Sequence, residues 1–324
     1  MTDRENSARE MLGGPAAIVG AGVIGNGWAA RLLAQGIDVV ATDPDPDAER
    51  RLRTTVDAAW PSLERTGLVA DAPGALTFTT DLEQAVSGAA LVQENAPENE
   101  QVKREVIARI DAAAPADAMI GSSTSGILAS TLQADATHPG RVFVAHPFNP
   151  VYLLPLVELV GGEKTDPAVV ERARALYRAI GMRPLVVRRE LEGHIADRLM
   201  EALWREALHI VNDGAATTEE VDAAIVYGAG LRWALMGTFL TFHLAGGEAG
   251  MRHMLEQFGP ALKLPWTRLE APELTDELIE RVVEGCEDQA AGRSVRALEQ
   301  RRDEFLVGLL DLVRPYWPQE EGRP

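Results

Sequence analysis

Cysteine is nearly absent from this chain, and its scarcity excludes a fold held together by disulfides. Cys286 is the only cysteine among 324 residues, so no disulfide can form within the chain. Long apolar runs are absent too, since none approaches the ~20 residues that a membrane-crossing helix needs. The first fourteen residues also lack the apolar core of a signal peptide. We therefore expect a cytoplasmic protein without a membrane partner.

Positively charged residues are also scarce relative to negatively charged ones. The chain has 31 Lys and Arg residues against 49 Asp and Glu residues, a formal net charge of −18. Nucleic acids and anionic membranes attract basic surfaces, so this charge argues against either as a partner. An anionic cofactor is compatible with it, because a single helix N-terminus can hold a diphosphate locally. The composition favours a small-molecule substrate.

The order of apolar patterns predicts a two-domain organisation. The first half alternates short apolar runs with amphipathic helical patterns, which is typical of a parallel sheet covered by helices on both faces. From about Glu190 the pattern is helical to its end, and the length suits two domains. We predict an α/β domain over residues 15–188 and an all-α domain over 189–317. Residues 1–14 are expected to be a disordered leader and 318–324 a disordered tail.

A glycine motif opens the first predicted helix directly after the first predicted strand. Gly20 permits a tight turn, Gly22 lets the backbone approach a diphosphate, and Gly25 lets the helix pack closely on the strand. Asp43, at the end of the second strand, can accept hydrogen bonds from a ribose and would repel a 2′-phosphate. This order predicts a Rossmann-type domain that binds NAD rather than NADP. FAD is the weaker option, and a glycine-rich structural turn is the alternative.

Three polar side chains suggest the chemistry. Ser125 follows one strand, His146 ends another, and Glu158 lies inside an apolar strand. A carboxylate buried in a strand needs a partner, and His146 is the candidate. An imidazole can take a hydroxyl proton while hydride leaves for a nicotinamide, and a carboxylate can fix its tautomer. From spacing alone, a satisfied core histidine beside a polar turn explains the pattern equally well.

The segments GAGVIG, STSG, AHPFNP, LVELV and HIADRLM resemble the 3-hydroxyacyl-CoA dehydrogenase superfamily along essentially the whole chain. The resemblance implies that Ser125 binds the substrate oxygen, that His146 accepts the proton and that Glu158 orients it. It also implies a helical second domain that forms a homodimer. We expect no metal. The cofactor contacts that it implies are Gly20, Gly22, Gly25, Asp43, Glu98, Lys103, Ser125 and Asn149.

Two positions depart from the acyl-CoA pattern. Ser123 stands where these enzymes usually have Asn, and Asp197 stands where they have an active-site Asn in the helix that opens the second domain. A carboxylate at position 197 would favour a substrate with positive charge. The alternative is an ordinary solvated carboxylate balanced by Arg198 and Arg205.

The segments GLRWALMG (230–237) and AGGEAGMRH (245–253) are similar to the branch with lambda-crystallin, L-gulonate 3-dehydrogenase and, in particular, L-carnitine dehydrogenase. This implies NAD-dependent oxidation of the 3-hydroxyl of L-carnitine, or of a close β-hydroxy zwitterion. The alternatives are L-gulonate 3-dehydrogenase, 3-hydroxyacyl-CoA dehydrogenase and a non-catalytic, crystallin-like NAD-binding protein. Aromatic faces can hold a quaternary ammonium and Arg can pair with a carboxylate, although core packing explains any single aromatic. The substrate candidates are Asp197, Arg232, Trp233, Trp204, Phe239 and Tyr152.

Overall fold

The computed structural model describes residues 7–270 and 272–316. The chain divides into two compact units, Met1–Arg198 and Leu199–Pro324. The strands of the first unit are β1 (Ala16–Val19), β2 (Val39–Thr42), β3 (Leu76–Thr79), β4 (Leu91–Glu94), β5 (Met119–Ser122), β6 (Val142–Pro147), β7 (Leu156–Gly161) and β8 (Arg183–Val187).

These strands form one sheet in the order β3-β2-β1-β4-β5-β6-β7-β8. All neighbouring strands are parallel except β6 and β7, which are antiparallel. The predicted Rossmann-type, mostly parallel sheet is thereby confirmed. The strand order reverses between β1 and β4, and ligands of such sheets bind beyond the carboxyl ends of the strands at this point.

Helices cover both faces of the sheet, and β1 shows why. Successive side chains of a strand point to opposite faces. Ala16 and Ile18 belong to one buried cluster, while Ala17 and Val19 belong to the other. The helices of this unit are α1 (Ser7–Leu12), α2 (Val23–Ala34), α3 (Ala48–Arg65), α4 (Leu82–Val86), α5 (Glu100–Ala113), α6 (Ala129–Leu132) and α7 (Pro167–Ala179).

The prediction of a disordered leader is wrong for the residues of α1. Ala8 and Leu12, four positions apart and so on one helix face, are buried against the first cluster. Arg9 donates to the carboxylate of Asp38 at 2.9 Å. The segment was predicted to be disordered because it is rich in charged residues. The burial of its two apolar side chains explains why it is helical instead. Residues 1–6 and the predicted tail 318–324 lie outside the described residues.

The second unit is helical, as predicted. Its capping box is formed by Thr217 and Glu220, which satisfy each other's backbone amides at the start of a helix. Cys286 is exposed and unpaired. The helices are α8 (Ala196–Asn212), whose first turn belongs to the first unit, α9 (Thr218–Ala224), α10 (Gly230–Trp233), α11 (Thr238–Ala245), α12 (Gly250–Phe258), α13 (Asp276–Ala290) and α14 (Val295–Val313).

Among the described residues, no single helix is both long and apolar enough to cross a bilayer. Thr218–Trp233 and Thr238–Ala245 reach that length and composition only together, and the chain bends by 87° between them.

Candidate active site

The glycine motif forms a turn in which two positions have no room for a Cβ and the third faces open space. Gly20 has a φ of +92°, and a Cβ there would lie 2.6 Å from the carbonyl oxygen of Asn95. A Cβ on Gly25 would lie 2.0 Å from the carbonyl oxygen of Gly20. A Cβ on Gly22 would meet nothing within 4 Å, at the N-terminus of α2. This open cradle beside free helix amides fits the diphosphate of a dinucleotide.

Asp43 follows β2 and lies beside this turn. One carboxylate oxygen accepts the amide of Ala21 at 2.9 Å, and the other accepts the amide of Asp45 at 2.9 Å. The carboxylate is therefore anchored next to the cradle, where a ribose attached to the diphosphate would reach it.

His146 and Glu158 form a buried pair across the antiparallel strands β6 and β7. The two residues are direct register partners, and His146 Nδ1 lies 3.0 Å from Glu158 Oε2. The other oxygen, Oε1, accepts the amides of Ile195 and Ala196 at 2.9 and 3.0 Å. Burial alone would raise the pKa of Glu158, but the bonds from His146 and these two amides outweigh it and hold the pKa below its usual range. Glu158 is thus an ionised acceptor.

An ionised Glu158 fixes the tautomer of His146. Nδ1 must donate to the carboxylate, so in the neutral ring Nε2 carries the lone pair. Nε2 lies 3.5 Å from Asp197 Oδ2, and the Asp197 side chain is 22% exposed. The ring of Phe148 packs edge-on against His146, with 4.9 Å between centroids. The nitrogen that can accept a proton therefore faces a partly exposed carboxylate.

The loop that carries Ser125 is held by Glu98. Glu98 Oε1 accepts the amide of Ser125 at 3.0 Å, the amide of Gly126 at 3.2 Å and the hydroxyl of Thr124 at 2.5 Å. Ser125 itself is exposed at the end of β5. Glu98, predicted as a cofactor contact, thus shapes the loop at the carboxyl edge of the sheet.

Lys103 is fully buried beside Glu98. Its ammonium lies 3.0 Å from Glu94 Oε1, 2.9 Å from the carbonyl oxygen of Ala96 and 3.6 Å from Glu98 Oε2. Glu94 is buried as well and also accepts the hydroxyl of Ser122. The ammonium therefore neutralises the buried carboxylate of Glu94. Without this partner, the buried charge would destabilise the fold. A cofactor contact by Lys103 stays a prediction.

Comparison with known proteins agrees with this geometry. Residues 15–191 match the NAD binding domain of 3-hydroxyacyl-CoA dehydrogenase, and residues 193–285 match its C-terminal domain. The chain belongs to the 3-hydroxyacyl-CoA dehydrogenase family. Its first unit is an NAD-binding domain, and it is an NAD-dependent dehydrogenase.

Relatives of high identity are L-carnitine dehydrogenases. Those of Bacillus cereus and Oceanobacillus iheyensis are 63% and 61% identical, over 93% of this chain and 93% and 99% of theirs. A solved structure of 5-formyl-3-hydroxy-2-methylpyridine 4-carboxylic acid 5-dehydrogenase, an NAD+ dependent dismutase, superposes with a TM-score of 0.79 at 30% identity. That match covers 93% of this chain and 98% of the other.

Sequence reasoning missed a polar network inside the first unit of this dehydrogenase. Ser123 Oγ accepts from Trp28 Nε1 at 3.0 Å and from Gln93 Nε2 at 2.8 Å, and it donates to Asn95 Oδ1 at 2.8 Å. The Tyr177 hydroxyl donates to Gln93 Oε1 at 2.7 Å, and burial raises the pKa of that tyrosine. The network gives Ser123 a structural task. Gln93, a polar residue within an apolar strand, was the signal that could have revealed it.

His194 was missed as well. It stands in the HIADRLM segment, is 1% exposed, and its ring centroid lies 5.5 Å from that of His146. Its place as the first residue of the HIADRLM segment was the available signal.

The remaining predicted residues differ in exposure. Asn149 is exposed just after β6, and Tyr152 is half-buried against the first core cluster. In the second unit, Trp204, Trp233 and Phe239 are 51%, 37% and 84% exposed, and Arg232 is exposed too. Their contacts with cofactor or substrate stay predictions. Within the described ranges, no group of three or more His, Cys, Asp or Glu could hold a metal ion.

Proposed function

We propose that this dehydrogenase oxidises the 3-hydroxyl of L-carnitine, or of a close β-hydroxy zwitterion, to the 3-keto product. The observation that carries the proposal is the carboxylate of Asp197, 3.5 Å from His146 Nε2. A negative charge beside the proton-accepting atom favours a substrate that brings a positive charge with its hydroxyl. The L-carnitine dehydrogenases related to this chain act, by their name, on such a molecule.

The buried pair performs the proton transfer. His146 Nε2 takes the hydroxyl proton, and Glu158 stabilises the imidazolium that forms through its 3.0 Å contact with Nδ1. NAD, which the turn at Gly22 and the carboxylate of Asp43 would hold, would supply the hydride acceptor for the carbon that carries this hydroxyl. Ser125, on the loop held by Glu98, donates a hydrogen bond to the substrate oxygen and orients the carbon.

A quaternary ammonium has no N–H to donate, so aromatic faces and carboxylates must hold it. Asp197 supplies charge, and Phe148 is an aromatic ring directly beside the base. Arg232, Trp233, Trp204, Phe239 and Tyr152 stay candidates for further substrate contacts.

The proposal is tested by following NAD reduction separately with L-carnitine, L-gulonate and 3-hydroxybutyryl-CoA. We expect turnover with L-carnitine, rising from acid toward neutral pH because only a neutral imidazole accepts a proton. Turnover of the acyl-CoA alone would reject the substrate, and a flat pH profile would reject the base.

Two substitutions separate substrate choice from catalysis. His146→Ala should abolish turnover while NAD binding and folding persist, whereas a merely structural, NAD-binding protein would show no turnover to lose. Asp197→Asn should raise KM for L-carnitine more than KM for 3-hydroxybutyrate, which lacks the ammonium group. Equal changes in both KM values would remove Asp197 from recognition of the cation.

We also propose a cytoplasmic homodimer formed through the second unit. Large apolar side chains stand exposed there, with Phe239 and Leu262 at 84% and Tyr227 at 80%. Burying such side chains against a second copy is favourable, at about 25 cal/mol per Å².

A further inference from the structure

His194 lies where three parts of the site meet. Its side chain is buried, and its ring centroid is 5.5 Å from the ring of His146, at an interplanar angle of 51°. The next two amides, of Ile195 and Ala196, both donate to Glu158. The residue thus belongs to the turn that holds the orienting carboxylate of the base.

The same ring contacts the loop that carries Ser125. His194 Nε2 lies 3.2 Å from the carbonyl oxygen of Thr124. A carbonyl oxygen only accepts, so Nε2 must carry a proton and donate it. Glu98 holds the amides of this loop, as described above, while His194 holds its carbonyl. Ser125 is therefore fixed from two sides.

The other ring nitrogen indicates that His194 is neutral. Within the part of the chain that the structure describes, Nδ1 is buried without a hydrogen-bond partner. A proton there would be a buried, unsatisfied donor on a charged ring. Burial, followed by the charge on His146, lowers the pKa of His194 and outweighs the opposing effects of Thr124, Glu158 and Asp197.

The backbone at this point takes a conformation that histidine rarely adopts. His194 has a φ of +46° and follows Gly193 at +70°. Left-handed backbone is unfavourable for a residue with a Cβ and persists where the surroundings hold it in place. The bond to Thr124 and the two amides on Glu158 are contacts that hold it here.

We propose that His194 is a positioning residue for the oxidation: as a neutral ring, it ties the Thr124 carbonyl to the Glu158-binding turn and so fixes Ser125 relative to His146. This rests on the proposed function, since it assigns Ser125 and His146 to one hydroxyl. The proposed role requires the hydrogen bond from His194 to the Thr124 carbonyl and not only the volume of the ring.

A pair of variants separates the hydrogen bond from the volume. His194→Phe keeps a planar ring but cannot donate, whereas His194→Gln loses the ring but places an amide N–H near the position of Nε2. With L-carnitine, we expect kcat to fall about tenfold in the Phe variant, with KM for NAD unchanged, and to recover largely in the Gln variant. A fully active Phe variant, or a Gln variant less active than it, would overturn the proposal.

The pH profile tests whether His194 is charged while the enzyme turns over. The titratable groups facing this ring are His146 on β6, Glu158 on β7 and Asp197 on α8. Because His194 stays uncharged, the acid limb of kcat/KM should have the same midpoint in the wild type and both variants. A displaced midpoint would show that His194 carries charge in the working range and would overturn the proposal.

The ring state can be read without substrate. In wild-type protein with ¹⁵N-labelled histidine rings, the signals absent from the Gln variant belong to His194. At neutral pH we expect a neutral ring with its proton on Nε2, and either a proton on Nδ1 or a doubly protonated ring would contradict this. A wild type inactive with L-carnitine counts against the proposed function, whereas a charged ring in an active enzyme counts against the role of His194.

Discussion

Glu158 is a fully buried carboxylate that its surroundings keep ionised. Each oxygen has its own donors, the imidazole of His146 on one side and the amides of Ile195 and Ala196 on the other. Those amides belong to the start of α8, where helix geometry leaves N–H groups free and the dipole favours negative charge. The carboxylate next to His146 is thus stabilised by an element that sequence spacing did not connect to it.

Replacing Glu158 by Gln should leave the fold but impair proton transfer. The amide keeps the shape, yet it stabilises no imidazolium and can hold the wrong tautomer of His146. We expect kcat to fall about 100-fold, with NAD affinity retained, as measured by steady-state kinetics and cofactor titration. The same substitution at exposed Glu163 is the control. Unchanged kcat in Glu158→Gln would show that the carboxylate does not act through His146.

Asp111 is a second buried carboxylate with a lowered pKa, away from the site. It accepts Arg141 Nε at 2.8 Å and the amides of Thr137 and His138 at 2.7 and 2.9 Å. Burial alone would raise its pKa, but the His138 amide and Arg141 outweigh it. A depressed folded pKa contributes stability that is present above the ordinary carboxyl value of 3.8 and is lost as pH falls through the folded value.

Asp111→Asn should therefore destabilise the protein most at neutral pH. Leaving Arg141 without its charged partner costs about 3 kcal/mol in the free energy of unfolding. As pH falls below the ordinary carboxyl value of 3.8, the difference from wild type should shrink, because Asp111 protonates first in the unfolded chain and then, at its lowered pKa, in the folded protein. Denaturant unfolding across pH measures this, with exposed Asp117→Asn as the control. A difference that is constant with pH would contradict the assignment.

At the scale of the element, apolar runs predicted where the strands lie but not the direction of β7 in the sheet. Residues 148–155 between β6 and β7 contain no helix, and a parallel return needs a longer crossover. β7 is therefore antiparallel to β6, and this direction makes His146 and Glu158 register partners. Spacing along the chain suggested the pair, but strand direction placed it.

The glycine turn before α2 allows a matched pair of substitutions. Gly22→Ala adds a Cβ that meets no protein atom but occupies the cradle, so folding should persist while NAD affinity falls about tenfold or more. Gly25→Ala places a Cβ 2.0 Å from the Gly20 carbonyl oxygen, so it should lower the melting temperature itself.

Thermal melting without NAD and calorimetric NAD titration distinguish the two effects. Wild-type NAD affinity in Gly22→Ala would show that the diphosphate binds elsewhere. A Gly25→Ala variant as stable as wild type would contradict the close contact of helix and strand.

At the scale of the whole molecule, association of two chains should bury apolar surface of the second unit. Light scattering should give a mass near twice the 35.0 kDa of one chain. Leu262→Glu, at a side chain that is 84% exposed, should weaken association tenfold or more, because burying a leucine contributes about 1.5–3 kcal/mol. Met11→Glu in the first unit is the control, since Met11 is also exposed at 52%. A monomer at all concentrations would reject the homodimer.

The sequence by itself determined the elements whose patterns are local. Apolar runs placed the strands, the glycine motif placed the turn before α2, and Glu158 inside an apolar strand required a partner. Such signals are visible in a sequence because burial and backbone sterics act on neighbouring residues.

Only the tertiary structure decided what depends on residues far apart in the chain. It assigned Ser123 to a buried network, paired the ammonium of Lys103 with Glu94, and brought His194 against His146 and the Thr124 carbonyl. Hydrogen bonds and charges act across space, and their partners come from strands and turns that meet only after the sheet has formed.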